Sequence, residues 1–203
     1  MSTRVVVVPT GSANTASVLA AFWRLGAEPR LAEPSDDLHR VDRVVLPGVG
    51  AFGPAIEQVD AHTWRDALVA RIHEERPTLA ICLGMHLLCA NSEENPKANG
   101  LGVISATVTR FPDGVSVPQL GWNQVEPDPN CRFLKPGWAY FANSYRLESI
   151  PDGWNGARTT HGNSFVSAVE RGAVLGCQFH PELSGTWGAA LLDRWLDNTG
   201  RTS

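Results

Sequence analysis

Charge is sparse in this sequence and never gathers into blocks. Only 19% of the 203 residues are charged, the net charge is −4, and runs of like charge reach no further than pairs such as Asp36-Asp37 and Glu93-Glu94. A nucleic-acid binder carries a basic face, and none is visible. Long apolar runs are missing as well. The most apolar stretch, residues 79–90, is twelve residues long and contains His86, too short to span a bilayer. The start, with valines only as far as Val8, lacks the apolar length of a secretory signal. The four cysteines, at 82, 89, 131 and 177, make no C-x-x-C pair and no metal-ligand spacing, so neither a metal nor a cofactor is expected. There is no linker, repeat or low-complexity tract. What remains is an ordinary globular composition, 43% hydrophobic, which excludes a disordered or fibrous chain. The length fits one domain over residues 1–203. The expectation is a reduced, cytoplasmic protein with no nucleic-acid or membrane partner.

The first half alternates β-branched runs with amphipathic stretches. Residues 4–8, 41–46 and 78–82 read as buried strands. Residues 15–25 place Val18, Leu19, Phe22 and Leu25 on one helical face, with Asn14 or Thr15 near the cap and Gly26 as the stop. Residues 63–76, ended by Pro77, read as a second helix, and residues 84–90 as the start of another. Strands alternating with helices point to a parallel sheet covered on both faces. After residue 101 the texture changes to short strand-like runs at 103–111, 115–117, 138–141 and 173–179, and residues 188–196 return to helical spacing. The expected fold is an α/β core with a central, mostly parallel sheet flanked by helices and an added antiparallel section.

Three segments carry chemistry. In Ala80-Ile81-Cys82-Leu83-Gly84 a strand runs into a small-residue turn and a helix, with cysteine at the corner. Such an elbow exposes the side chain, lets the Leu83 N–H face a developing oxyanion, and favours thiolate at the helix start. A buried core cysteine is the competing reading. In Gln178-Phe179-His180-Pro181-Glu182 a histidine follows a strand, with a carboxylate two residues on. A thiol needs a base, and the base needs an acceptor for its other nitrogen. Alone, a His-x-Glu sequence equally fits a solvated loop. Leu46-Pro47-Gly48-Val49-Gly50 is a strand end with a glycine loop that can turn N–H groups toward an anion, although strand ends commonly carry Pro and Gly. Cys89, Cys131 and Cys177 read as structural, and His39, His62, His73 and His161 as surface residues.

In this order and context, Pro47-Gly48-Val49-Gly50, Cys82-Leu83-Gly84-Met85 and Phe179-His180-Pro181-Glu182 resemble the class I, triad-type glutamine amidotransferases. Within them the chain is similar to the glutaminase subunits of imidazole glycerol phosphate synthase. The similarity extends to Gly50-Ala51-Phe52, Ser92-Glu93-Glu94, Gly121-Trp122-Asn123, Tyr140-Phe141, Ser144-Tyr145 and Ser184-Gly185. The resemblance implies a flavodoxin-like core and a catalytic triad of Cys82, His180 and Glu182. It implies an oxyanion hole near Val49 and Leu83, and glutamine held near Gly50, His86, Glu94, Ser144 and Tyr145. It also implies a (β/α)8-barrel cyclase partner that receives the ammonia, docked near Asn14, Trp122 and Leu183. The chain departs from the family at His86, usually Gln, at Ala80, usually Gly, at Asn143, usually His, and at Leu183, usually a Lys that pairs with the cyclase. If His86 touches substrate, its imidazole, titrating near ~6.5, makes glutamine binding pH-dependent. Two alternatives stay open: a related glutaminase subunit feeding a different synthase, and a non-catalytic scaffold of the same fold.

Overall fold

The computed structural model describes residues 3–10, 15–34 and 37–197. The chain order begins β1 (Arg4–Val7), α1 (Thr15–Arg24), β2 (Glu28–Leu31), β3 (Val44–Leu46), α2 (Phe52–Ala61), α3 (Arg65–His73), β4 (Thr78–Ile81) and α4 (Leu83–Leu87). There follow β5 (Cys89–Ser92), β6 (Ile104–Arg110), β7 (Gln119–Pro127), β8 (Gly137–Asn143), β9 (Tyr145–Arg146), β10 (Asn155–His161), β11 (Asn163–Arg171), β12 (Val174–Cys177) and α5 (Gly185–Asp197).

The valines of β1 divide between two cores. Successive side chains of a strand point to opposite faces, so Val5 and Val7 join one apolar cluster while Val6 and Val8 join the other. On the first face α1 contributes Val18, Ala21 and Phe22, and α5 contributes Leu191, Leu192 and Trp195. On the second face α2 brings Ala55, Ile56 and Val59, and α3 brings Leu68 and Ile72. The result is a sheet between two helical layers.

The main sheet has nine strands in the order β2-β1-β3-β4-β12-β11-β10-β7-β8. The first five are mutually parallel and follow the doubly wound order 2-1-3-4-5, with β12 as the fifth strand. From β12 outward each pairing is antiparallel, so the added section extends the same sheet. A smaller sheet pairs β5, β6 and β9. In doubly wound sheets ligands bind beyond the carboxyl ends of the strands. The three chemistry-bearing segments follow the carboxyl ends of β3, β4 and β12.

Several boundaries differ from those expected. The α1 helix closes on Gly26 at φ 78°, and the Ala27 N–H reaches the Phe22 carbonyl at 3.1 Å, a C-terminal cap that needs the left-handed residue. Residues 115–117, expected as a strand, belong to none. The helix after Cys82 ends at Leu87, because residues 89–92 pair with β6 instead. The second helix is confined to Arg65–His73, and β3 starts at Val44. Helix α2 and strands β2, β7, β9, β10 and β11 lie where no element was expected.

Candidate active site

Every residue of β4 is buried, and the strand stops abruptly at Cys82. Cys82 has φ 51° and ψ −108°, a conformation side-chain-bearing residues seldom adopt, and its N–H is held by the Cys177 carbonyl at 2.6 Å. The turn survives because two glycines let backbones meet. A Cβ on Gly84 would lie 1.9 Å from the Leu46 carbonyl oxygen, and one on Gly48 would lie 2.4 Å from Leu83 Cβ. The glycine loop after β3 and the elbow after β4 therefore touch through positions where only hydrogen fits. Thr10, three residues beyond β1, donates its hydroxyl to the Pro47 carbonyl at 3.1 Å and braces the same loop.

His180 emerges just past β12 and is 3% exposed. Its Nδ1 lies 2.9 Å from Glu182 Oε1, which leaves Nε2 to interact with Cys82. Burial alone would lower the imidazolium pKa. The hydrogen bonds and charges of Cys82 and Glu182 outweigh it and raise His180 to about 10. Ser184, to which no role was assigned from sequence, accepts the Tyr140 N–H at 3.0 Å and donates to the His180 carbonyl at 2.6 Å. With the His180 N–H bound to the Tyr140 carbonyl at 2.9 Å, β8 and the His180 turn are tied together twice. Burial pushes the Cys89 and Cys131 thiols up to about 12 and the Cys177 thiol well above its usual range, so none of the three matches the setting of Cys82.

A cavity of about 180 Å3 opens on Cys82. It is lined by Val49, Gly50, Leu83, His86, Glu94, Ser144 and Tyr145, so the residues expected for oxyanion stabilisation and glutamine binding share one space. Gly50 has φ 112°, a value that requires glycine. The Leu83 N–H, the expected oxyanion donor, donates to the Gly48 carbonyl at 3.3 Å and is engaged within the protein. Glu94 accepts the Phe52 N–H at 3.0 Å, placing one carboxylate oxygen on the first residue of α2. Asn143, noted in the sequence only as a departure, also lines the cavity. Its Nδ2 donates to the Tyr145 carbonyl at 3.0 Å, while its buried Oδ1 has no partner.

His86 is buried, and desolvation outweighs its hydrogen bond to Gln178 and lowers its pKa to about 4. The expected pH dependence of glutamine binding through His86 is therefore corrected: its ring is neutral across the neutral range. Its Nε2 lies 2.7 Å from Gln178 Oε1, and Gln178 Nε2 lies 3.7 Å from Cys82 Sγ. A glutamine ending an otherwise apolar strand run was the available signal for Gln178, since amides are seldom fully buried without a purpose.

Of the expected docking residues, Trp122 and Leu183 are exposed, and Asn14 lies outside the described residues. A larger cleft, about 580 Å3, lies beside β1 and β2 against Arg4, Glu28, Arg30 and Arg40, and its lining includes neither a cysteine nor a histidine. Among the described residues, no group of three or more His, Cys, Asp or Glu side chains could hold a metal ion, and no helix is long and apolar enough to cross a membrane.

The profile of the class-I glutamine amidotransferases matches residues 6–198. The imidazole glycerol phosphate synthase subunit HisH of Symbiobacterium thermophilum is 39% identical, over 95% of this chain and 92% of its own. HisH of Escherichia coli K12 is 37% identical, over 95% and 98%. The chloroplastic imidazole glycerol phosphate synthase hisHF of Arabidopsis thaliana is 37% identical over 95% of this chain but 34% of its own length. A crystal structure titled as a glutamine amidotransferase superposes with a TM-score of 0.77 at 23% identity, covering 96% of this chain and 98% of that one, which bears on the fold. The chain belongs to the class-I glutamine amidotransferase family.

Proposed function

We propose that this chain is the glutaminase subunit of an imidazole glycerol phosphate synthase. It hydrolyses L-glutamine to glutamate and ammonia and passes the ammonia to a (β/α)8-barrel cyclase subunit in histidine biosynthesis. The observation that carries the proposal is the series Cys82, His180 and Glu182, with Cys82 opening on the cavity, in a chain whose HisH relatives match along nearly its whole length. The Cys82 sulfur attacks the side-chain carboxamide carbon of glutamine, with the oxyanion facing the N–H groups of Leu83 and Val49. His180 delivers a proton to the departing nitrogen, which leaves as ammonia. Water, deprotonated by His180, then opens the γ-glutamyl thioester and releases glutamate. Gly50, His86, Glu94, Ser144 and Tyr145 surround the substrate. The unit is one domain over residues 1–203, in the cytoplasm.

The exposed apolar surface supports the partner. Leu120, Trp122 and Trp138 on β7 and β8 are 70%, 55% and 56% exposed, and Leu183, next to Glu182, is 40% exposed. Leu120, Trp122 and Trp138 share one face of the β7–β8 pair, and Trp122 approaches Gly185, two residues beyond Leu183. Aromatic anchors of this kind dominate protein interfaces. The Arabidopsis relative, whose name joins hisH and hisF, supports a cyclase as the other half. The departures at Leu183 and Asn143 favour a second reading, a glutaminase feeding a different synthase. Complementation separates the two: the gene restores growth of an auxotroph lacking its glutaminase subunit when expressed with the cyclase subunit of its own genome. Failure to complement, with active glutamine hydrolysis, would favour the second.

A further inference from the structure

Gln178 is fully buried at the end of β12 and stands between two groups of the site. Its Oε1 faces His86 Nε2 at 2.7 Å, and its Nε2 faces Cys82 Sγ at 3.7 Å. An amide oxygen only accepts hydrogen bonds, so this contact requires the proton of His86 to sit on Nε2. The neutral ring forced by burial carries a single N–H, and that N–H is committed to Gln178. The amide is thereby oriented with its own N–H groups toward the sulfur. In the reverse orientation the amide oxygen would face Sγ and repel a thiolate.

We infer that His86 and Gln178 form a buried brace in which the His86 Nε2–H fixes the Gln178 amide so that it donates to the Cys82 sulfur, aiming the sulfur and favouring its reactive, charged form. Gln178 touches the reacting atom, whereas His86 is a positioning residue acting through Gln178. The inference rests on Cys82 being the nucleophile of the proposed glutaminase. It adds to the triad a second hold on the sulfur, from Gln178 beside that from His180. It also gives the histidine that replaces the family's usual glutamine a task other than titration.

The test reads the thiol directly, so it does not depend on glutamine turnover. Alkylation of Cys82 by iodoacetamide at pH 7 is followed by peptide mass spectrometry in the full-length protein. Gln178→Met, close in volume but lacking the N–H, is expected to slow alkylation about tenfold, the size of a lost hydrogen bond to a charged group. His86→Phe slows it less, and adds nothing in the Gln178→Met background. His86→Gln, whose amide can still donate to Gln178, retains the wild-type rate. In glutamine assays Gln178→Met lowers kcat with little change in KM. Unchanged alkylation in folded Gln178→Met, or additive effects of the two substitutions, would overturn the brace. Nitrogen-15 NMR of the unmutated protein gives a check that no folding defect can obscure: the Nε2–H tautomer of His86 is expected, and an Nδ1–H tautomer would refute the inference. A wild-type protein that shows the brace but does not hydrolyse glutamine with its cyclase would instead refute the glutaminase reading.

Discussion

The imidazole of His180 meets the carboxylate of Glu182 at 2.9 Å, and both side chains are almost excluded from solvent, at 4% and 2% exposed. A pair this dry fixes the ring orientation and tautomer and holds Nε2 toward Cys82. Glu182→Gln keeps the shape but removes the charge and offers an N–H where an acceptor is needed. The matching change in a Ser-His-Asp triad costs on the order of 10⁴ in kcat, and Glu182→Gln is expected to cost at least about 10². Steady-state glutamine hydrolysis by the assembled complex, with KM held nearly constant, checks this.

The contact between the glycine loop and the elbow predicts a sharp intolerance. Gly84→Ala would press a methyl group into the Leu46 carbonyl, and Gly48→Ala into Leu83 and the Gly84 backbone. Neither obstacle is the far end of a flexible side chain. Each substitution is expected to lower the melting temperature by several degrees, as about 2 kcal/mol of strain would do. Both should also depress kcat, because the two segments carry the proposed oxyanion donors, Val49 and Leu83. Calorimetry alongside turnover tests this; wild-type stability in Gly84→Ala would mean the loops can part freely.

Burial of neutral His86 makes stability pH-dependent in a known direction. Its pKa falls from about 6.5 when unfolded to about 4 in the fold. Between those values the unfolded chain binds the proton and the folded one does not, so stability is lost as pH falls from about 6.5 toward 4. Relative to His86→Gln, the native protein is expected to lose about 2 kcal/mol more between pH 7 and pH 5. Denaturant melts at the two pH values give the difference. Equal losses in both proteins would place His86 in a more solvated setting.

The Leu83 N–H is engaged by the Gly48 carbonyl at 3.3 Å. On the proposed mechanism a reacting oxyanion must compete with the Gly48 carbonyl for that donor. Loss of one oxyanion donor typically costs ~10²–10³ in rate, so the isolated subunit is expected to hydrolyse glutamine slower by about that factor than the complex with a liganded cyclase. Full-speed hydrolysis by the subunit alone would favour a stand-alone hydrolase.

The proposed triad could be read from the chain because each member sits in a locally encoded turn. Cys82 follows a four-residue apolar strand and precedes Gly84, and His180 and Glu182 are two residues apart beyond another strand. Gln178 and Cys82 are separated by 96 residues, and their meeting depends on β12 lying in register beside β4, which no local pattern encodes. The unexpected elements have their own reasons. Helix α2 begins Phe52-Gly53-Pro54, where Gly and Pro ordinarily break helices, yet Pro is tolerated in a first turn where N–H groups lack intrahelical partners. Strand β2 contains Pro29 and is mostly exposed, as only an edge strand permits. Strand β10, Asn-Gly-Ala-Arg-Thr-Thr-His, lacks apolar alternation and is held by its neighbours β11 and β7.

The decisive measurement compares wild-type and Cys82→Ala complexes with the cyclase for imidazole glycerol phosphate formation, using either glutamine or an ammonium salt as nitrogen source. The wild-type complex should use both, and the Cys82→Ala complex should use only ammonium, since the substitution removes the ammonia source and leaves folding, docking and cyclisation in place. Glutamine-dependent product from the Cys82→Ala complex, or a glutamyl thioester trapped on Cys89, Cys131 or Cys177 of the native protein, would contradict the assignment of Cys82 as the nucleophile.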